Sequence, residues 1–127
     1  EDCSSFASGR IEFFTSSPDW CVATGGPDIR LPEGTYRIGG TAYTEGEVCS
    51  FGALCNRLSF RLQVLVNDVV FAAVEAAPQA AGTFPLVPAP VMVRGCDRVS
   101  IRVSVMKVGT GIASREGALT SLYIDAL

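Results

Sequence analysis

The sequence predicts an all-β protein, an antiparallel β-sandwich or jelly roll of about eight to ten short strands. Apolar and polar residues alternate with period two along 58–66 and again along 98–105, which is typical of strands with one buried face. Clusters of Gly, Pro, Asn and Asp separate these and other short apolar runs, and they indicate turns. At 127 residues, the chain has the length of a single domain, 1–127.

The amino-terminal part, about residues 1–30, is predicted to be a cysteine-containing arm. Residues 1–10 are polar and rich in Ser, and short strands are expected at 11–14 and 19–22. A Pro-Glu-Gly turn at 32–34 then begins a strand in which Tyr36 and Ile38 share one face. The start at Glu1 lacks a Met, as expected after signal cleavage or in a domain trimmed from a longer polypeptide.

A β-hairpin over 58–72 is the strongest local prediction. Every second residue from Leu58 to Val66 is apolar, and the residues between them are mostly polar. Asn67 and Asp68 follow, and both residue types tolerate the positive φ that a two-residue hairpin turn requires. One face of the hairpin is therefore predicted to lie in the core.

The carboxyl-terminal half is predicted to contain further strands. Residues 76–82 are expected to be a loop because Pro78 and Gly82 disfavour a helix, with a helical turn at 72–77 as the alternative. Three prolines restrict 83–93 to an edge or irregular strand. In the strand at 98–105, Val99, Ile101, Val103 and Val105 are predicted to point inward. A last strand is expected at 118–124.

The five cysteines indicate an oxidising compartment. Two disulfides are expected, with Cys3 bonded to Cys21 and Cys49 bonded to Cys55, although spacing alone leaves other pairings open. Cys96 would then be free, buried or bonded between subunits. A zinc site is not expected, since the chain has no histidine and no Cys-x-x-Cys motif.

Composition argues against several classes of function. A net charge of −3 provides no basic stripe for nucleic acid, and no apolar window is suited to span a membrane. Without histidine, neither a Ser-His-Asp nor a Cys-His site can form, so no enzyme and no cofactor are predicted. A carboxylate-based glycosidase that uses Glu45 with Glu47, or Asp97 and Glu116, is the enzymatic alternative.

Two groups of residues have the chemistry to bind a partner. Loop aromatics with nearby carboxylates are suited to a sugar or a calcium ion, and these are Trp20, Tyr43, Glu45, Glu47 and Phe51. Outward arginines are either solvated or form ion pairs between subunits, and these are Arg57, Arg61, Arg98 and Arg102.

Four segments together resemble the C1q/TNF-like jelly-roll superfamily over about Leu31 to Leu127. They are Leu31-Pro-Glu-Gly-Thr-Tyr-Arg-Ile38, Phe60-Arg-Leu-Gln-Val-Leu-Val-Asn67, Val93-Arg-Gly-Cys-Asp-Arg-Val-Ser-Ile101 and Ser121-Leu-Tyr-Ile124. Cys96 interrupts the Gly-Asp pair of the third family motif. The resemblance implies a trimer with its carboxyl-terminal strand near the three-fold axis. Heads of this kind are displayed on collagen-like proteins, bacterial spores, phage fibres and capsids.

The leading functional hypothesis is a non-enzymatic, self-associating module. With 48% hydrophobic residues and 18% charged residues, some apolar positions are expected to face another subunit. Such a module, a homotrimer, would serve assembly, surface decoration or attachment outside the cell, on the cell surface or on a virion. The alternative is a monomeric, lectin-like module that binds carbohydrate.

Overall fold

A computed structural model describes residues 4–7, 10–15, 18–25, 28–44, 57–77, 82–108 and 115–127. None of these residues is helical. The described strands are β1 (Ser4–Ala7), β2 (Arg10–Thr15), β3 (Cys21–Gly25), β4 (Gly34–Thr44), β5 (Arg57–Val66), β6 (Val69–Ala76), β7 (Gly82–Leu86), β8 (Val91–Val93), β9 (Val99–Val108) and β10 (Arg115–Ala126).

The strands form two antiparallel sheets. Sheet A has the order β1-β2-β10-β4-β7, with β8 also paired to β4, and sheet B has the order β3-β9-β5-β6. The pairs β2 with β10, β3 with β9, β4 with β7 and β8, and β5 with β6 nest like one long folded hairpin. This nesting is the jelly-roll arrangement, so the predicted fold class, an antiparallel β-sandwich, is confirmed.

The predicted central hairpin is confirmed as β5 and β6. Asn67 and Asp68 occupy its turn with φ of 52° and 66°, the left-handed region that these two residue types tolerate. Leu58, Phe60 and Leu62 alternate along β5 as fully buried residues. The period-two pattern therefore identified the core face correctly.

Other elements depart from or extend the predictions. The alternative of a helical turn at 72–77 is wrong, because Ala72 to Ala76 belong to β6. The proline-interrupted segment forms β7 and β8, which both pair with β4, as expected for an irregular strand. The part predicted as an arm contributes β1 and β2 to sheet A and β3 to sheet B.

The core lies between the two sheets. Phe60 of sheet B packs edge-to-face against Phe84 of sheet A, with ring centroids 5.0 Å apart. On its other side, the ring of Phe13 lies 6.0 Å from Phe60. Because Phe13 and Phe84 come from different strands of sheet A, Phe60 links the layers at the centre of the sandwich.

Candidate functional site on the outer face of sheet A

The central strand β4 separates the inner and outer faces of sheet A. Tyr36, Ile38 and Ala42 are buried inward. Since side chains alternate along a strand, the residues between them lie on the outer face. These are Thr35, Arg37, Gly39, Thr41 and Tyr43.

Pairing in the sheet sets the neighbours of these β4 residues. Thr35 lies opposite Met92 of β8, and its carbonyl oxygen accepts a 2.9 Å hydrogen bond from the Leu127 backbone N–H. Met92 and Leu127 are each 64% exposed. Two large apolar side chains therefore lie at the surface on either side of a threonine.

Gly39 of β4 packs closely against its cross-strand partner Tyr123 on β10. A Cβ at Gly39 would lie 2.6 Å from the Tyr123 hydroxyl oxygen and 2.7 Å from the Leu86 carbonyl oxygen. The phenol ring therefore lies directly against the Gly39 backbone, in space that any other residue would occupy. A glycine inside a strand commonly marks such an approach.

A second glycine allows β10 to shift its register against β4. The ladder is irregular between Leu119 and Ser121, and the Thr120 hydroxyl donates a 3.0 Å hydrogen bond to the Thr41 carbonyl oxygen. At this point a Cβ on Gly40 would lie 2.7 Å from the Ser121 carbonyl oxygen. Both glycines of the pair are thus required by the contact between β4 and β10.

Charge is sparse on this side of the sheet. Along β4, β7, β8 and residues 117–127, the charged residues are Arg37 and Asp125, which lie opposite each other in the ladder. Within the described residues, the buried Nε of Arg37 has no hydrogen-bond partner. This part of the face therefore combines a low charge density with one cationic side chain whose Nε has no hydrogen-bond partner.

The free part of β10 adds further apolar surface. β2 pairs with β10 only as far as Leu119, and no other described strand continues this edge. Leu122 and Ile124 lie beyond that point and are exposed. The apolar surface of sheet A therefore extends around its edge.

The predicted loop site is divided between the two sides of the sandwich. Tyr43 lies on the outer face of sheet A, whereas Trp20 stacks against Arg61 on the outer face of sheet B. Glu45, Glu47 and Phe51 lie outside the described residues. The structure does not bring Trp20 and Tyr43 together.

Two cysteines can be placed. Cys21 is buried at the start of β3 and is disulfide-bonded, and Cys96 is free and exposed. The predicted partners Cys3, Cys49 and Cys55 lie outside the described residues. Cys21 is one of the buried residues of the core, and it places the start of β3 against that core.

A hydrogen-bonded network fastens the β5–β6 turn to the segment before β9. The Asn67 side-chain amide donates to Asp97 at 2.9 Å and accepts from the Arg98 backbone N–H at 3.0 Å. Asp97 also accepts a 2.8 Å hydrogen bond from the Arg94 backbone N–H. These two hydrogen bonds, that from Arg94 foremost, lower the pKa of the Asp97 carboxyl group.

Arg98 is an intrachain ion-pair residue. Its guanidinium donates a 2.9 Å hydrogen bond to Asp68 and lies 3.5 Å from a carboxylate oxygen of Asp28. The hydrogen bond to Asp68 is the main cause of the raised pKa of Arg98. Of the other predicted outward arginines, Arg61 and Arg102 lie half-buried on sheet B.

Neither the chemistry of metal binding nor similarity to known proteins identifies a function. No group of three or more His, Cys, Asp or Glu side chains among the described residues could hold a metal ion. The described part of the chain also has no helix long and apolar enough to cross a membrane. Neither a family model nor a curated protein matches the sequence.

Proposed function

We propose that this protein is a non-enzymatic β-sandwich module that associates with itself through the outer face of sheet A. The observation that carries the proposal is the combination of low charge and exposed apolar side chains on that face, with Met92 and Leu127 both 64% exposed. Protein interfaces are depleted of charge at their centre and enriched in Tyr and Met. The part of this face formed by β4, β7, β8 and residues 117–127 has this composition.

The arrangement of Tyr123 favours a tight contact. Its ring lies against Gly39, so this position of the face presents a rigid aromatic ring in place of a long flexible side chain. Flat aromatic surface with little side-chain freedom costs less entropy to bury than lysine or glutamate. The incomplete hydrogen bonding of Arg37 Nε adds a polar group that a second subunit can satisfy.

A trimer is the assembly that we propose, by resemblance to the C1q/TNF-like superfamily. In those proteins the carboxyl-terminal strand lies near the three-fold axis. Here β10 is that strand, and it lies within sheet A between β2 and β4. Its position supports an assembly in which sheet A faces inward and sheet B faces the surroundings.

Display outside a cell or on a virion follows as the setting of this function. The disulfide at Cys21 favours an oxidising compartment. The proposed module would build or decorate a surface, or attach it to a partner, with chemistry limited to binding.

Light scattering of the native protein at micromolar concentration tests the proposal. We expect a mass near three times 13.4 kDa that persists when reductant is added. Met92→Arg should reduce the mass toward the monomer, because it places a charge in the apolar interface.

Val22→Arg is the matched control. Val22 is 53% exposed and lies on sheet B, so the same apolar-to-Arg change should leave the trimer intact. A monomeric wild-type protein contradicts self-association. A trimer that resists Met92→Arg but is lost with Val22→Arg places the interface on the other sheet.

A further inference from the structure

The outer face of sheet B carries a polar cluster that the proposed assembly does not use. Two neighbouring sets of cross-strand partners lie side by side on this face. Arg61 of β5 lies between Glu75 and Ser104, and Gln63 lies in the next row beside Arg102. Because side chains alternate along a strand, these side chains lie on the face of sheet B that points away from the core.

An aromatic ring covers part of the cluster. The Arg61 guanidinium carbon lies 4.4 Å from the centroid of the Trp20 ring, a cation–π distance. Trp20 precedes β3, and β9 lies between β3 and β5, so this contact reaches across β9. Ser104 of β9 is 0% exposed although it points away from the core, as expected beneath such a contact.

Three polar atoms in this cluster are buried without a hydrogen bond among the described residues. They are Arg61 Nε, Gln63 Oε1 and Ser104 Oγ. Native proteins rarely leave buried polar atoms unpaired, and three on adjacent positions of one face call for a shared partner. Together they require a partner with both donors and acceptors.

The charge at the centre of the cluster favours a hydroxyl-rich partner over an anion. Glu75 lies opposite Arg61 in the ladder and offsets the charge of its guanidinium. A phosphate or a polyanion would gain little from such a face. Sugar hydroxyls donate and accept at once, and the flat face of an indole packs against the C–H surface of a pyranose ring.

We infer that Trp20, Arg61, Gln63 and Ser104 form a carbohydrate-binding site on the outer face of sheet B. The pyranose replaces the Arg61 guanidinium on the indole ring. Arg61 Nε–H then donates to a sugar oxygen, and sugar hydroxyls donate to Gln63 and exchange hydrogen bonds with Ser104. In the proposed trimer this site faces outward, but the inference does not depend on the trimer.

Trp20 is the only tryptophan of the chain, so its fluorescence reports on this site alone. The experiment screens a glycan array and then titrates the full chain with each glycan that binds and with its terminal monosaccharide. We expect a saturable change in Trp20 emission. A response to the monosaccharide indicates recognition of one ring, and a response to the intact glycan alone indicates recognition of a longer chain. An array without any binding, or array binding that leaves Trp20 emission unchanged in the titration, overturns the inference.

Ser104→Ala and Gln63→Ala should each weaken binding by about tenfold or more, the effect of one lost hydrogen bond in a desolvated site. Ser104→Ala should also melt at the same temperature as wild type or higher, since it removes an unpaired buried hydroxyl. A structural role alone would leave binding unchanged in this variant. Undiminished binding by both variants therefore also overturns the inference.

Ser100→Ala is the matched control. Ser100 lies on the same face of β9, about 13 Å along the strand from Ser104 at the usual rise per residue, and it pairs with Leu65. We expect its affinity to equal that of wild type. Equal losses with Ser100→Ala and Ser104→Ala would place any sugar site elsewhere.

Discussion

Along β4, β7, β8 and the end of β10, the outer face of sheet A carries two charged residues, Arg37 and Asp125, whereas β5 and β9 of sheet B contain three arginines, a glutamine and three serines. The inner faces of the same strands are alike, because both are lined with buried aliphatic and aromatic residues. Packing determines the inward positions of a sandwich and leaves the outward positions free to differ. Functional differences between the two sides must therefore come from those outward residues.

Removing the layer that both faces share should have the largest effect. Phe60 is fully buried between Phe13 and Phe84, so Phe60→Ala should lower the free energy of unfolding by about 3–5 kcal/mol. Urea denaturation followed by circular dichroism measures the loss. This variant should lose both self-association and the glycan-dependent change in Trp20 emission, because both faces depend on Phe60.

Phe71→Ala is the control for this prediction. The Phe71 side chain is 63% exposed in β6, and its removal should change the free energy of unfolding by about 0.5 kcal/mol or less. Similar losses at the two positions would show that Phe60 does not hold the layers together.

Changing sheet A alone should separate the two faces. Gly39→Ala places a methyl group against the Tyr123 hydroxyl and the Leu86 carbonyl oxygen, and the backbone contact cannot be relieved by a rotamer change. We expect a loss of about 1–3 kcal/mol in the free energy of unfolding and weaker self-association. The change in Trp20 emission on glycan binding should be the same as in wild type.

Gly95→Ala provides the comparison, because nothing lies within 4 Å of a Cβ built there. Its assembly and stability should remain close to those of wild type. If Gly39→Ala assembles as well as Gly95→Ala does, the position of Tyr123 is not important for the interface.

Much of the fold could be predicted from local pattern. The hairpin around Asn67 was predictable because the alternation and the turn residues agree at adjacent positions. β1 was not, since the Ser-rich segment Ser4–Ala7 becomes a strand only through its pairing with β2. β3 begins at Cys21, two residues later than the strand predicted at 19–22, where its pairing with β9 starts.

The two outer faces were harder to predict than the fold. The Gly39-Gly40 pair in a predicted strand was a usable signal of close backbone approach. The partner Tyr123 depends on the register between β4 and β10, which lie far apart in the chain. Alternation along 98–105 places Ser104 on the outward side of its strand. Its burial accompanies the contact of Trp20 with Arg61 across β9, a long-range contact that alternation cannot reveal.

The smallest expected effect concerns the end of sheet B, where Asp97 joins Arg94 to the Asn67 turn. Hydrogen bonds from the Arg94 backbone N–H and from Asn67 lower the pKa of Asp97 below its ordinary value of 3.8. The stabilisation that ionised Asp97 contributes is therefore present above pH 3.8 and is lost as the pH falls through the lowered pKa. Because the group is exposed, solvent and salt keep the effect small.

Melting temperatures of wild type and Asp97→Asn between about pH 5 and pH 2 should show a shallower decline in the variant, since its side chain has no charge to lose. Glu33→Gln, which removes an exposed carboxylate beside β4 of sheet A, is the charge-matched control. A decline as steep in Asp97→Asn as in wild type would mean that the ionisation of Asp97 does not contribute to the stability of the protein between these pH values.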